Sequence, residues 1–194
     1  VQDEHFPINE LASLGYHCTY WGQKSYNGVA VLTRDEPDAV CFGFEDPATE
    51  QARLIHLKWR GVTIVNTYVP QGQSVDSPKF EEKLAWLQRL GLFFAQRCDP
   101  REPIVWLGDL NIAPLDIDVH DPQKLSGSVC FHPQEHAMLE KLVSWGFTDV
   151  FRRHFGEQQV FTFWDYRIPN AVKRRLGWRI DHIWATPTLA ERST

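Results

Sequence analysis

The sequence predicts a mixed α/β fold built in layers, and three observations predict it. A short apolar run, Ile104-Val105-Trp106-Leu107, is bounded by Pro103 and Gly108 and reads as a buried strand. Two stretches of alternating side chains, 53–59 and 62–68, meet at Arg60-Gly61 and read as a hairpin. Between them and the buried strand lies a helical stripe of Phe80, Leu84, Leu87, Leu90 and Phe94, opened by Ser77-Pro78. Strands, hairpins and separated helices of this kind pack as alternating layers around one core.

In chain order, residues 8–14 form the end of a helix stopped by Gly15. Residues 16–21 and 29–33 read as strands, joined by a loop ending in the turn signal Asn27-Gly28. A further strand is expected over 39–44, and the 53–68 hairpin follows. In the helix from 78 to about 96, Ser77 is the cap and Pro78 occupies the first turn. After the strand at 104–109, residues 110–132 read as a long loop carrying Asp116, Asp118, Asp121, Pro122 and Gly127; loops of that length are usually functional or mobile. Residues 133–145 are helical, with Met138, Leu139, Leu142 and Val143 inward and Gly146 as the stop. A short helix over 149–155, a strand over 160–164, a basic loop over 165–177 and a last strand over 178–185 complete the chain. No repeat, linker or low-complexity stretch divides it, so one domain is expected over residues 1–194.

The 194 residues suffice for a sizeable core, and 43% of them are hydrophobic. A net charge of −5 argues against bulk attraction to nucleic acid, while allowing phosphates to be held locally by a metal and a few basic groups. Cys18, Cys41, Cys98 and Cys130 lie far apart with no Cys-x-x-Cys, so free thiols in a reducing cytosol are expected. There is no run of 18 apolar residues and no signal peptide, so neither membrane insertion nor export is expected.

Five places carry candidate chemistry. Asp109 and Asn111 leave the buried strand two residues apart, hence on one side of an extended segment, at the strand end where ligands bind in open α/β sheets. The carboxylate suits a hard cation and the amide can ligate, orient or donate; equally, Asp109 can simply cap a turn. Tyr68 closes its strand just before Pro70-Gln71-Gly72, where a phenol can donate to a phosphate oxygen or serve as a half-buried aromatic. In Phe161-Thr162-Phe163-Trp164-Asp165-Tyr166-Arg167, aromatics precede Arg167, Lys173, Arg174, Arg175 and Arg179. Such a block can stack beside a nucleotide and hold its phosphates, or be a core strand with a solvated loop. In Trp178-Arg179-Ile180-Asp181-His182, alternation puts Arg179, Asp181 and Ile183 on one face, where Asp181 needs a partner: a histidine, a metal or Arg179 itself. His182 points the other way and reads as a packed or surface histidine. The fifth place, 24–30 with Asn27 at its turn, can rim a cleft.

In order and spacing, these segments resemble the exonuclease III/AP-endonuclease family. The match rests on Tyr68-Val-Pro-x-Gly, Gly-Asp-Leu-Asn at 108–111, Phe-Thr-Phe-Trp-Asp-Tyr-Arg at 161–167 and Trp-Arg-Ile-Asp-His at 178–182. The 25–30 turn and Asp118-Val-His-Asp-Pro resemble the bacterial members. The resemblance implies a four-layer α/β sandwich of two packed sheets with helices outside. It implies hydrolysis of DNA phosphodiesters 5′ to abasic sites, with 3′→5′ exonuclease and 3′-phosphatase activity, aided by Mg²⁺ with Mn²⁺ as the alternative. Asp109 would activate water and, with Asn111, hold the metal; Tyr68 would donate to the phosphate, and Asp181 would orient a histidine. Phe163, Trp178 and Ile180 would line a pocket for an extruded abasic sugar, while Asn27, Gln71, Trp164 and Arg167 would contact DNA. The expected partner is duplex DNA with abasic sites or blocked 3′ ends, bound by a cytoplasmic monomer.

The family also carries a metal-binding Glu upstream and a Ser-Asp-His downstream of the segments matched here. The chain is therefore expected to be an internal piece of the fold, incomplete at both termini and with little nuclease activity by itself. Other phosphodiesterases of the superfamily and a non-catalytic DNA-binding fragment are the competing readings.

Overall fold

A computed structural model describes residues 2–44 and 50–194. The elements in chain order are α1 (Ile8–Ser13), β1 (His17–Gly22), β2 (Gly28–Thr33), β3 (Ala39–Phe42), β4 (Leu54–Trp59), β5 (Val62–Tyr68) and α2 (Pro78–Arg97). They continue with β6 (Ile104–Asp109), α3 (Pro122–Leu125), α4 (Pro133–Ser144), β7 (Thr148–Asp149), α5 (Val150–Phe155), β8 (Phe163–Trp164), β9 (Gly177–Trp178), β10 (Asp181–Ala185) and α6 (Pro187–Ala190). Strands β3-β4-β5-β6-β10-β7 form one mixed sheet in that order, and β1-β2 and β8-β9 form two-stranded sheets. The result is a mixed α/β architecture with a multi-stranded sheet flanked by helices.

The two faces of the main sheet are covered differently. On one, α2 and α4 close over Leu54, Val65, Ile104, Trp106 and Trp184, with Leu87, Leu90 and Phe94 of α2 fully or almost fully buried. Phe94 meets the rings of Phe93, Trp106, Trp145 and Phe147. On the other, the β1–β2 hairpin covers the β4–β5 half through Val29, Ile55 and Leu57, and Asn66 Nδ2 donates to Ala30 O across the interface at 3.0 Å. α1 lies against β1. Over β6 and β10 this face stays open, and Ile183 is exposed.

The local signals act as expected at the ends. Ser77 Oγ accepts from Lys79 N at 3.1 Å, Asp149 caps α5 through Arg152 N, and Arg60-Gly61 turn with positive φ between Trp59 and Val62. Three expectations change, the first being the strand expected over 160–164, which is reduced to Phe163–Trp164. The 110–132 stretch contains a 3-10 turn at Asp116–Asp118 and the short helix α3. The single strand expected over 178–185 is broken after Trp178. There Arg179 N donates to Asp118 O (2.8 Å) and Ile180 O accepts from Leu110 N (2.9 Å), so β9 pairs with β8 while β10 enters the main sheet.

Candidate active site

The main sheet's register assembles the site. Parallel pairing sets Tyr68 of β5 beside Asp109 of β6, and antiparallel pairing sets Asp109 beside Asp181 of β10. On the far side, Tyr68 N donates to Arg53 O (2.8 Å), which places Arg53 next in line. Four residues, Arg53, Tyr68, Asp109 and Asp181, thus form one row across the sheet end, at strand spacings of about 4.8 Å. The parallel β5–β6 pair ends here, so this is the carboxyl edge where open α/β sheets bind ligands. The row stands on the face that the β1–β2 hairpin covers only in part. A cleft of about 460 Å³ beside Tyr68 is lined by Asn27, Arg53 and Gln71 among others, and one of about 410 Å³ lies beside Asp109, Asp181 and Ile183.

Gly108 lets the row form. Its φ is +127°, and a Cβ there would stand 2.0 Å from Thr67 O on the neighbouring strand. No side chain fits between β5 and β6 at that point, so only glycine lets Asp109 come alongside Tyr68. Beyond it Asn111 adopts φ +50° and its backbone N–H donates to Asp109 Oδ1 at 2.9 Å. The Asn111 amide turns inward, donating from Nδ2 to Val69 O at 3.0 Å. Asn111 therefore orients the carboxylate through its backbone and ties the loop after β6 to the loop after β5.

The electrostatics follow from this packing. Burial, above all, raises the Asp109 carboxyl to about 6, the hydrogen bond from Asn111 N opposes that, and the Asp181 carboxylate beside it adds to the rise. Asp181 itself is exposed, so the cost of burying it does not arise; its backbone N–H and that of Ile180 donate to Thr162 Oγ1 (3.2 and 3.1 Å). Arg179 is not its partner. Its guanidinium is buried against Asp118 (2.6 Å) and Asp149 (2.8 Å), and Arg152 also pairs with Asp118. His182 is packed in the core, where Nε2 meets Ile112 O at 2.8 Å; burial first, then the Arg179 charge, push it down to about 4.

The aromatic block adjoins the Asp181 end of the row, where Thr162 Oγ1 accepts from Asp181 N. Phe163 of β8 faces Trp178 of β9 in register, Phe163 is 40% exposed, and Trp164 stands edge-on to Phe161. Ile180 lies in a buried cluster with Ala113, Val119 and Phe131, against which Trp178 packs. Arg167 is held by both oxygens of Asp165 (2.9 and 2.8 Å), and Asn27, at φ +70°, donates to Gln51 Oε1 at 3.3 Å.

Two groups escaped the sequence reading. Arg53 lies with its guanidinium 4.8 Å from the Tyr68 ring centroid and donates to Tyr68 O at 3.1 Å. Its position directly before a strand was the available signal. Lys83 and Glu135 form an ion pair with both side chains 0% exposed. The signal was Lys83's place between Phe80 and Leu87 on the buried stripe, where Leu84 is only half buried.

The donor set suits a hard divalent cation in part. Two neighbouring carboxylates, one with an oxygen not taken up by Asn111, leave negative charge that a cation would compensate. No group of three or more His, Cys, Asp or Glu surrounds a metal-sized point among the described residues.

Comparison with known proteins identifies the family to which this fold belongs. The model of the endonuclease/exonuclease/phosphatase family matches residues 1–194, and the chain belongs to that family. Its relatives lie on the exodeoxyribonuclease III and AP-endonuclease side. Exodeoxyribonuclease III of Haemophilus influenzae is 36% identical over 99% of this chain and 76% of its own length. The structure of an AP endonuclease from Archaeoglobus fulgidus superposes with a TM-score of 0.92 at 41% identity, over 98% of this chain and 74% of that one. A 3′ phosphatase from Neisseria, solved bound to a product DNA hairpin, gives 0.92 at 37% identity over 98% and 74%.

Proposed function

We propose that the chain forms the catalytic core of a DNA-repair nuclease that hydrolyses phosphodiesters 5′ to abasic sites and processes 3′ ends as exonuclease and 3′ phosphatase. The observation that carries this reading is the register row of Arg53, Tyr68, Asp109 and Asp181. Its cationic and phenolic half can hold a phosphate, and its carboxylate half can take up a proton from water. Asp109, with one oxygen held by Asn111 N and the other free, is the group of the row placed to accept that proton. The Tyr68 phenol donates to a non-bridging phosphate oxygen, and Arg53 beside it balances the charge that grows there. Asp181, exposed at the end of the row, is the carboxylate placed to orient a histidine toward the phosphate; His182, buried on the opposite face, is not that histidine. Mg²⁺, or Mn²⁺ in its place, would be held by Asp109 with Asp181 nearby and would stabilise the leaving 3′ oxygen. Asn111 serves by holding the Asp109 carboxylate in place.

Recognition falls to the side chains around the row. Asn27 and Gln71 line the cleft beside Tyr68 and contact one strand. Phe163 and Trp178, neighbours in β8–β9, receive the extruded sugar, which has no base to accommodate. No helix among the described residues is long and apolar enough to cross a membrane, and the four cysteines are free.

The test compares substrates with the full-length protein in Mg²⁺: a duplex with one abasic site, the same duplex intact, a 3′-phosphate-ended duplex, and inositol-phosphate and sphingomyelin substrates. Cutting of the abasic duplex and dephosphorylation of the 3′ end are expected. Turnover confined to the inositol or lipid substrates would assign the row to another branch of the superfamily.

A further inference from the structure

The buried Lys83–Glu135 pair has no place in the chemistry above, yet it sits directly behind the row. Lys83 lies in the second turn of α2, pointing inward with Phe80 and Leu87. Its ammonium has three N–H donors and no acceptor. One donor goes to the Glu135 carboxylate, one to Asn111 O at 2.7 Å and one to Gln71 O at 3.3 Å. Glu135 is itself fixed at the start of α4, accepting from His132 N at 3.1 Å. A charged pair buried this completely is a poor source of stability, since neutral replacements of similar volume often match or exceed it. Its distinctive product here is geometric. One ammonium gathers the carbonyl of Gln71, in the loop that follows Tyr68, and the carbonyl of Asn111, in the loop that follows Asp109.

We propose that Lys83 is a positioning residue for phosphodiester hydrolysis, holding the loops after β5 and β6 at a fixed spacing through the Gln71 and Asn111 carbonyls. The inference rests on the function proposed above. The Asn111 peptide unit is its point of action. The carbonyl of Asn111 is bound to Lys83 while its N–H, one peptide earlier, holds Asp109 Oδ1 and its side chain holds Val69 O. Asn111 keeps φ +50° within this three-point attachment. Without the ammonium, the Asn111 carbonyl loses its tie to α2, and the loop that carries the Asn111 N–H, the donor that aims Asp109, is held less tightly. A displacement near 1 Å at such a point is enough to cost about 10²-fold in rate.

The experiment compares three forms of the full-length protein: wild type, Lys83→Arg, and the double variant Lys83→Met with Glu135→Gln. The double variant removes both charges and keeps an acceptor for His132 N, so it is expected to fold and melt within a few degrees of wild type. Its kcat on abasic duplex should fall by about 10–10²-fold with KM nearly unchanged, since a group behind the row alters alignment more than DNA affinity. Amide exchange at 69–73 and 110–113 should quicken by at least tenfold while α2 and α4 keep their protection. Lys83→Arg, which retains a charge and several donors, should restore most of both readouts. A folded double variant with kcat within about twofold of wild type, or with unchanged exchange in both loops, would overturn the proposal. So would a double variant that does not fold, because the pair would then serve the fold itself. If wild type leaves abasic duplex uncut, the functional reading fails, while the exchange comparison still decides whether Lys83 holds the two loops.

Discussion

Replacing Gly108 with alanine tests how the row is built. The new Cβ would stand 2.0 Å from Thr67 O, more than 1 Å inside ordinary contact, at a φ of +127° that L-residues rarely adopt. The backbone strain costs about 1–3 kcal/mol. Relieving the overlap means pushing β5 from β6 in the middle of the sheet, about 1–3 kcal/mol more. Gly61 supplies the control, with a φ of +76° and nothing within 4 Å of an added Cβ. Alanine there carries only left-handed strain of about 1–2 kcal/mol. Gly108→Ala should therefore be less stable than Gly61→Ala by about 2 kcal/mol or more, read as urea midpoints at equal m-values. That corresponds to a melting point lower by roughly 4–8 °C for a chain of this size. Activity should follow the geometry: Gly61→Ala keeps wild-type turnover, and Gly108→Ala loses it even where fully folded. Equal stability of the two variants, or normal turnover by Gly108→Ala, would refute the argument that this glycine sets the Tyr68–Asp109 spacing.

Three further outcomes follow from the same structure. Arg179→Met should cost about 3–5 kcal/mol in chemical denaturation, because Asp118 and Asp149 lose a buried cation; a cost under about 1 kcal/mol would mean that Arg152 alone satisfies them. His182 is held near 4 by burial against an unfolded value of about 6.5, so the unfolded chain binds its proton first as pH falls. Its contribution is present above about 6.5 and is lost progressively down to 4, by about 3 kcal/mol. His182→Gln should flatten that part of the stability–pH curve relative to wild type, and an unchanged slope would contradict it. Trp178→Ala should slow abasic incision more than 3′-phosphate removal, since only the first reaction needs an extruded sugar; equal losses would remove Trp178 from the pocket.

Much of this was legible in the residues because the signals were local. The apolar run from Ile104 ends at Gly108 for a steric reason that one glycine announces, and Ser77-Pro78 starts α2 by satisfying its first amides. Asn27-Gly28 and Arg60-Gly61 turn where positive φ is needed. Tyr68 and Asp109 could be picked out singly as polar groups at strand ends, and Asp181 as a carboxylate on an apolar strand. Their alignment could not, because it depends on the parallel β5–β6 register reached through the long α2 crossover. The break after Trp178 was hidden for a similar reason: Arg179 pairs with Asp118, 61 residues away, and alternation along one segment carries no trace of it. Lys83 was passed over because a lysine on an apolar stripe resembles noise until its three acceptors, from separate parts of the chain, are seen together.

The central claim is that the row at the carboxyl edge of β5 and β6 performs hydrolysis of DNA, with Asp109 as its proton acceptor. The most direct measurement is single-turnover cleavage of a duplex with one abasic site by the full-length protein and its Asp109→Asn variant, at matched folded concentration in Mg²⁺. Asparagine keeps the shape and can still accept from Asn111 N, but it cannot take up the proton. The account predicts a rate lower by at least about 10²-fold with DNA binding retained. A folded Asp109→Asn protein that cuts within about threefold of wild type would contradict it.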